Sequence, residues 1–185
     1  MERKFINKIK NTNLYLVQGD ITQISTDAIM TAINSGGLWF GGIDRAIQGV
    51  AGDYYHSQAA AQMPLKDLQT IVAKGGDYYQ NRGKFKDVIF VVDDLRHPVD
   101  DIVCAGLDSA HKEGYKTLLI PAIRMGVMAG VVEKTPLETV SKIRKGVDRF
   151  MEKYNGTTKL ENLVFVVYKD PDSIKQLEEG FKSNI

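Results

Sequence analysis

Between Leu14 and Gly52 the chain alternates apolar runs and glycines in an order that few architectures accommodate. Leu14–Val17 is a short apolar run ending at Gly19-Asp20. Asp27–Ile33 is a second run, apolar enough on both faces to be a strand buried inside a sheet. Gly36-Gly37 and Gly41-Gly42 follow, with Leu38, Trp39 and Phe40 between the pairs. Beyond them Ile43, Ala46, Ile47, Val50 and Ala51 recur at helical spacing, so a helix packs one face on that sheet. A glycine loop that feeds a helix leaves the first helical amides without intrahelical acceptors, and their dipoles favour an anion. The stretch reads as strand, glycine loop and helix, with a phosphate cradle at the junction.

The same alternation continues to the C-terminus, and no repeat or Pro/Gly/Ser linker divides residues 1–185, which are expected to form one domain. Residues 1–12 carry an edge strand around Phe5, Ile6 and Ile9. Tyr54–Met63 is expected to be a helix stopped by Pro64, followed by a strand at Thr70–Ala73. Val88–Val92 is the strongest strand signal, closed by Asp93-Asp94. Val99, Ile102, Val103, Leu107 and Ala110 suit a helix ended by Gly114. Thr117–Ile120 is a buried strand ending at Pro121, and a second glycine loop occupies 122–130. Thr135-Pro136-Leu137-Glu138 is a capping box with proline at the first helical position. Its helix carries Leu137, Val140, Ile143, Val147, Phe150 and Met151 on one face. Leu163–Tyr168 is a last strand, and Asp170-Pro171 starts a terminal helix bearing Ile174, Leu177 and Phe181. The pattern calls for an α/β protein with a largely parallel or mixed sheet between helices. Ligands of such sheets sit outside the carboxyl ends of the strands, where both glycine loops would lie.

Several chemistries find no support. A net charge of +1 asks for neither nucleic acid nor an acidic membrane surface. The longest apolar runs are strand-length, and MERKFINKIK lacks the apolar core of a signal peptide, so no membrane association and a cytoplasmic location are expected. Cys104 is the single cysteine and reads as a small core residue. His56, His97 and His111 are far apart in sequence and lack ligand spacing, so no metal site is expected. No P-loop and no Gly-x-Ser-x-Gly elbow occurs. Tyr54-Tyr55 and Tyr78-Tyr79 read as covers for hydrophobic edges rather than as stacking platforms for bases.

The blocks Gly19-Asp20-Ile21-Thr22, Asp27-Ala28-Ile29, Asn34, Gly41-Gly42-Ile43-Asp44 and Ala51-Gly52 together resemble the opening of a macrodomain. Pro121-Ala122-Ile123 with Gly126-Val127 is similar to that family's second phosphate loop, and Val166-Val167-Tyr168 to its last strand. The resemblance implies a three-layer α/β/α fold with a mixed, mostly parallel central sheet. It implies ADP-ribose, or an ADP-ribosylated substrate, as the ligand and no cofactor. Asp20 matches the aspartate that accepts from the adenine amino group, the preferred reading over a mere cap on the turn at Thr22. Ile21 is implied to offer its amide to a phosphate. Gly41, Gly42 and Ile43 would hold one side of the pyrophosphate, and Gly126, Val127 and Met128 the other. Tyr168 matches an aromatic beside the adenosine, or packs on the core. Asn34 matches the asparagine that touches the distal ribose, or shapes the turn before the glycines. Asp44 matches the aspartate that orients water in the hydrolytic branch of the family. It also suits the first turn of any helix, where the macrodipole favours an acid.

The chain departs from the family pattern in three places. The segment Asn-Ala-Ala-Asn is Thr31-Ala32-Ile33-Asn34 here. The run of three glycines is Phe40-Gly41-Gly42, and Trp39 and Phe40 either wall the ribose pocket or plug the core. In the second loop a small hydroxyl residue becomes Arg124, an aromatic becomes Met128 and a glycine becomes Ala129. Arg124 reads as a partner for the pyrophosphate or, preferred, as a solvated charge in a rebuilt loop. The expected activity is hydrolysis of ADP-ribosyl esters, with Asn34 placing the distal ribose and Asp44 the water. The alternatives are a reader that binds ADP-ribose without turnover and a divergent interaction scaffold that has lost the nucleotide.

Overall fold

The apolar runs become strands of one seven-stranded sheet, ordered β1-β2-β7-β6-β3-β5-β4 among the described residues. The computed structural model describes residues 2–37 and 41–182, so the expectations placed on Trp39 and Phe40 lie outside the described residues. The strands are β1 (Lys4–Ile9), β2 (Thr12–Gln18), β3 (Thr26–Ile33), β4 (Thr70–Ala73), β5 (Phe85–Val92), β6 (Thr117–Pro121) and β7 (Asn162–Val167). The helices are α1 (Gly42–Ala51), α2 (Tyr54–Ala60), α3 (Val99–Glu113), α4 (Pro136–Tyr154) and α5 (Pro171–Lys182). From β2 to β5 every pairing is parallel, and the two edge pairings, β1 with β2 and β4 with β5, are antiparallel. The sheet is therefore mixed and mostly parallel.

Two apolar layers follow from the period of the strands. Ala28 and Met30 of β3, Ile89 and Val91 of β5, Leu118 and Ile120 of β6, and Leu163 and Phe165 of β7 face α3, α4 and α5. Their neighbours Ile29, Val88, Phe90, Leu119 and Val164 face α1 and α2. Successive side chains point to opposite faces, so strands apolar throughout must be covered on both. The result is the three-layer α/β/α arrangement.

The helix boundaries follow local chemistry. Thr135 Oγ1 accepts from Glu138 N at 3.1 Å. The Glu138 carboxylate accepts from Lys134 N at 3.0 Å, one residue before the usual partner of a capping box. Two sequence expectations are corrected. The helix expected over Tyr54–Met63 ends at Ala60, because its last three residues run as a turn into Pro64. Leu137 is 78% exposed rather than buried with Val140 and Ile143. The buried face of α4 includes Thr139 and Gly146, and at 100° per residue Leu137 lies roughly 110° from the centre of that face.

The parallel core sends β3, β5, β6 and β7 toward one edge. Asp93 N donates to Ile33 O at 2.7 Å, and Ser35 N to Asp94 Oδ1 at 2.8 Å, so the ends of β3 and β5 are tied where the first glycine loop begins.

Candidate functional site

A cavity of about 320 Å³ opens at that edge. Its walls are the end of β3, the first turn of α1, the loop after β6, the end of β7 and the start of α5. The volume lies at the lower end of the range of ligand clefts, roughly 300–1,000 Å³.

Two runs of backbone amides belong to residues that line this cavity. Helix α1 begins at Gly41, whose φ of 87° and ψ of −121° suit glycine. Gly41 has no side chain to cap the helix, and the first intrahelical bond is Arg45 N to Gly41 O at 2.9 Å. The amides of Gly42 and Ile43 precede that bond, and no described group accepts from them. A Cβ built on Gly41 or Gly42 meets no described atom within 4 Å, so there is open space beside these residues. In the second loop, Met125 N donates to Ala122 O, Ala129 N to Gly126 O and Val131 N to Met128 O. The amides of Gly126, Val127 and Met128 between them have no acceptor among the described residues. Val127 is 86% exposed, so what it offers the cavity is main chain rather than a packed side chain. Unpaired N–H groups gathered on one cleft make an anion site without any cation.

Arg124 is the largest departure from its sequence reading. Far from being solvated, it is 6% exposed and held by two buried acids. Its Nη2 and Nε reach the two oxygens of Asp93 at 2.8 and 3.3 Å, and its Nη1 reaches Glu133 Oε1 at 2.9 Å. Glu133 Oε2 also accepts from Val99 N at the start of α3, at 3.2 Å. The backbone at Arg124 is left-handed, with φ of 59°, which turns its side chain toward the end of β5. Burial works against the charge, but the hydrogen bonds donated to Asp93 and Glu133 outweigh it and hold the guanidinium above its ordinary pKa. Both readings of Arg124, a pyrophosphate partner and a solvated charge, give way to a structural one: it clamps the second loop to β5 and α3.

The other expected residues divide into two groups. Gly42, Ile43, Asp44, Gly126, Val127, Met128 and Tyr168 line the cavity. Asp20, Ile21, Asn34 and Gly41 flank it without being part of its described wall. Asp20 caps the 3-10 turn Ile21–Gln23, accepting from Thr22 N at 2.9 Å and Thr22 Oγ1 at 2.7 Å through Oδ1. Its Oδ2 takes no bond from the described residues. Asn34 is half-buried just past β3. Tyr168 is 64% exposed, with Lys169 Nζ 5.2 Å from its ring centroid, so it stands at the rim and not in the core.

Asp44 is buried at the first turn of α1, and its Oδ1 lies 3.0 Å from Nε2 of His56 on α2. This pair was hidden from a reading by spacing, because the two residues are twelve apart and on different helices. Thr31, Asp170 and Ser173 also join the wall, and Asp170 caps α5 by accepting from Ser173 N and Oγ. No group of three or more His, Cys, Asp or Glu among the described residues is arranged to hold a metal ion. No described helix is long and apolar enough to cross a membrane.

No protein-family profile matches the chain. An uncharacterized protein of Aquifex aeolicus is 27% identical over 148 residues, 76% of this chain and 87% of that one. An O-acetyl-ADP-ribose deacetylase of Escherichia fergusonii is 30% identical over 124 residues, 63% of this chain and 70% of that one. Among solved structures, a Trypanosoma brucei macrodomain in complex with ADP-ribose superposes with a TM-score of 0.77 at 20% identity, covering 96% of this chain and 73% of that one.

Proposed function

The chain belongs to the macrodomain family, and from that premise we propose that it binds ADP-ribose in the cleft at the strand ends and hydrolyses ADP-ribosyl esters. The pyrophosphate lies between the amides of Gly42 and Ile43 and those of Gly126, Val127 and Met128. Adenine runs toward Tyr168 and Asp20, with Asp20 Oδ2 accepting from the exocyclic amine. The distal ribose runs toward Asn34 and Asp44. In the reaction, water adds to the ester carbonyl and the bond from that carbon to the ribose oxygen breaks. The proton that Asp44 takes from water passes to the departing ribose oxygen, and the acid product carries water's second proton until it ionises in solvent. ADP-ribose and an acid, acetate or a protein side chain, are the products. The scheme needs no metal.

The observation that carries the reading is the pair of acceptor-free amide runs on one open cavity. Support for turnover comes from the position of Asp44 on the cavity wall and from the name of the Escherichia fergusonii relative. Calorimetric titration with ADP-ribose tests the first half. A release assay on O-acetyl-ADP-ribose and on a glutamate-ADP-ribosylated protein tests the second. Saturable binding with release, and binding without release in Asp44→Ala, is the expected result. Absence of any heat removes the whole reading.

A second reading, a non-catalytic reader, has its own support. Thr31 stands where the family pattern has its first asparagine, and the Asp44 carboxylate is already engaged by His56. Equal binding by wild type and Asp44→Ala, with no release from either, would establish that reading.

A further inference from the structure

We propose that His56 is a positioning residue for the hydrolysis, acting through Asp44; the inference rests on the hydrolase reading above. The His56 and Asp44 side chains are each 2% exposed, and Nε2 and Oδ1 are 3.0 Å apart. Asp44 lies on the cavity wall, whereas His56 is not part of it. The imidazole also packs against Phe90 of β5, with ring centroids 4.9 Å apart and planes at 58°. The histidine is thus fixed from the sheet side while it holds the aspartate on the cleft side.

An acid placed in a first helical turn only for the macrodipole needs neither burial nor a partner from another helix. A carboxylate that takes a proton from water needs one fixed rotamer and must stay ionised beside a diphosphate, whose like charge works against ionisation. An imidazole N–H donated to one oxygen supplies both. With Nε2 protonated, His56 donates to Oδ1 and sets the plane of the carboxylate. Water then gives its proton to the Asp44 carboxylate and its oxygen to the ester carbon. That proton goes on to the ribose oxygen as the ester bond breaks. His56 keeps its own proton throughout and touches none of the reacting atoms. Helix α2 becomes part of the site for this reason alone, since its other buried residues, Tyr55 and Ala59, serve the apolar layer.

The test compares His56→Leu with His56→Gln, whose amide N–H replaces that of Nε2 without an ionisable ring. Three quantities are measured for each: kcat, KM for O-acetyl-ADP-ribose, and Kd for ADP-ribose. A positioning role predicts that His56→Leu lowers kcat about 10- to 100-fold while KM and Kd stay within about threefold, and that His56→Gln restores kcat to within about threefold of wild type. Unchanged kcat in His56→Leu overturns the inference. So does a joint loss of kcat, KM and Kd in both variants, which marks a histidine that only docks α2. Absence of release by the wild-type protein overturns the hydrolase reading and this inference with it, and the wild-type assay alone separates that outcome from the others.

Discussion

Replacing Arg124 by methionine removes the cation from a buried cluster and leaves its two acids behind. Asp93 and Glu133 side chains are 3% and 0% exposed, so both acids are left largely desolvated when the guanidinium goes. Truncating one partner of a buried ion pair costs about 3–5 kcal/mol, mostly for the charge left without a partner. Here the residual partners soften the loss. Glu133 keeps Val99 N at 3.2 Å and has Lys142 Nζ at 3.7 Å, and Asp93 keeps Leu95 N at 2.9 Å. Methionine also refills most of the volume. The expected loss is about 3–4 kcal/mol, the lower part of that range. For a chain of 185 residues that corresponds to a fall in Tm of roughly 6–16 °C. Urea unfolding followed by circular dichroism measures it, with Asp93→Asn and the double variant completing a cycle. The double variant should be more stable than the sum of the single losses by about 1 kcal/mol or more, because removing the cation has already cost Asp93 its partner. A loss below about 0.5 kcal/mol would be that of a solvated surface charge and would refute the clamp.

The remaining predictions concern the cavity and pH. Gly126→Val places a side chain where a Cβ meets nothing within 4 Å, at a residue without left-handed φ, on the cavity wall. It should leave urea stability within about 1 kcal/mol of wild type and abolish detectable ADP-ribose binding in calorimetry. ADP-ribose affinity should change by less than about threefold between roughly 0.05 and 0.5 M salt, since in the proposed reading amides and not exposed cations hold the diphosphate. A steep loss of affinity with salt would point to lysine or arginine contacts. Burial pushes the Tyr55 hydroxyl up to about 12, and burial with a hydrogen bond to the Asp87 carboxylate pushes Tyr115 higher still. Both folded values lie above the unfolded one, so their contribution to stability is complete below pH 10 and is lost as pH rises through 12. Ultraviolet titration should find these two of the eight tyrosines ionising only as the protein unfolds. At Asp108 burial works to raise the carboxyl, but hydrogen bonds from Tyr154, Lys112 and Lys153 outweigh it and hold it well below the ordinary range. Its contribution is therefore present above about pH 4 and lost as pH falls below that, and Asp108→Asn should flatten the acid limb of the stability profile.

Local signals were legible along most of the chain. Runs such as Val88–Val92 are apolar on both faces, and in the fold they face both helical layers. Thr135, Gly114 and Pro171 mark helix ends through their own backbone chemistry, and the structure uses them so. Partnerships across the sheet were not legible. Arg124 finds Asp93 across 31 residues, and Asp44 finds His56 on a separate helix. Neither pairing leaves a periodicity in the sequence, because one is created by strand order and the other by the packing of α1 against α2. A charged residue in a glycine loop is solvated in most loops, and only the left-handed backbone at Arg124 and the nearby end of β5 reverse that expectation. Leu137 failed for a simpler reason: it lies roughly 110° round the helix from the centre of the buried face.

The second loop shows how a row of unpaired amides can outlast its own sequence pattern. An amide is contributed by every residue except proline, so Gly126, Val127 and Met128 present three N–H groups whatever their side chains are. What the side chains decide is whether the loop keeps the backbone angles that aim those groups at one point. A small hydroxyl residue there would leave the loop to its turn hydrogen bonds. Arg124 instead anchors it to β5 through Asp93 and to α3 through Glu133, which is a stiffer attachment. Its charge is spent on those carboxylates and adds nothing to the attraction for an anion. With Asp44, Asp93 and Asp170 also on the wall, side-chain charge in this cleft is on balance negative. In the proposed reading, attraction for a diphosphate therefore falls to the peptide dipoles. The residues that look most unlike the family pattern have altered how the loop is held, while the groups facing the cleft remain main chain.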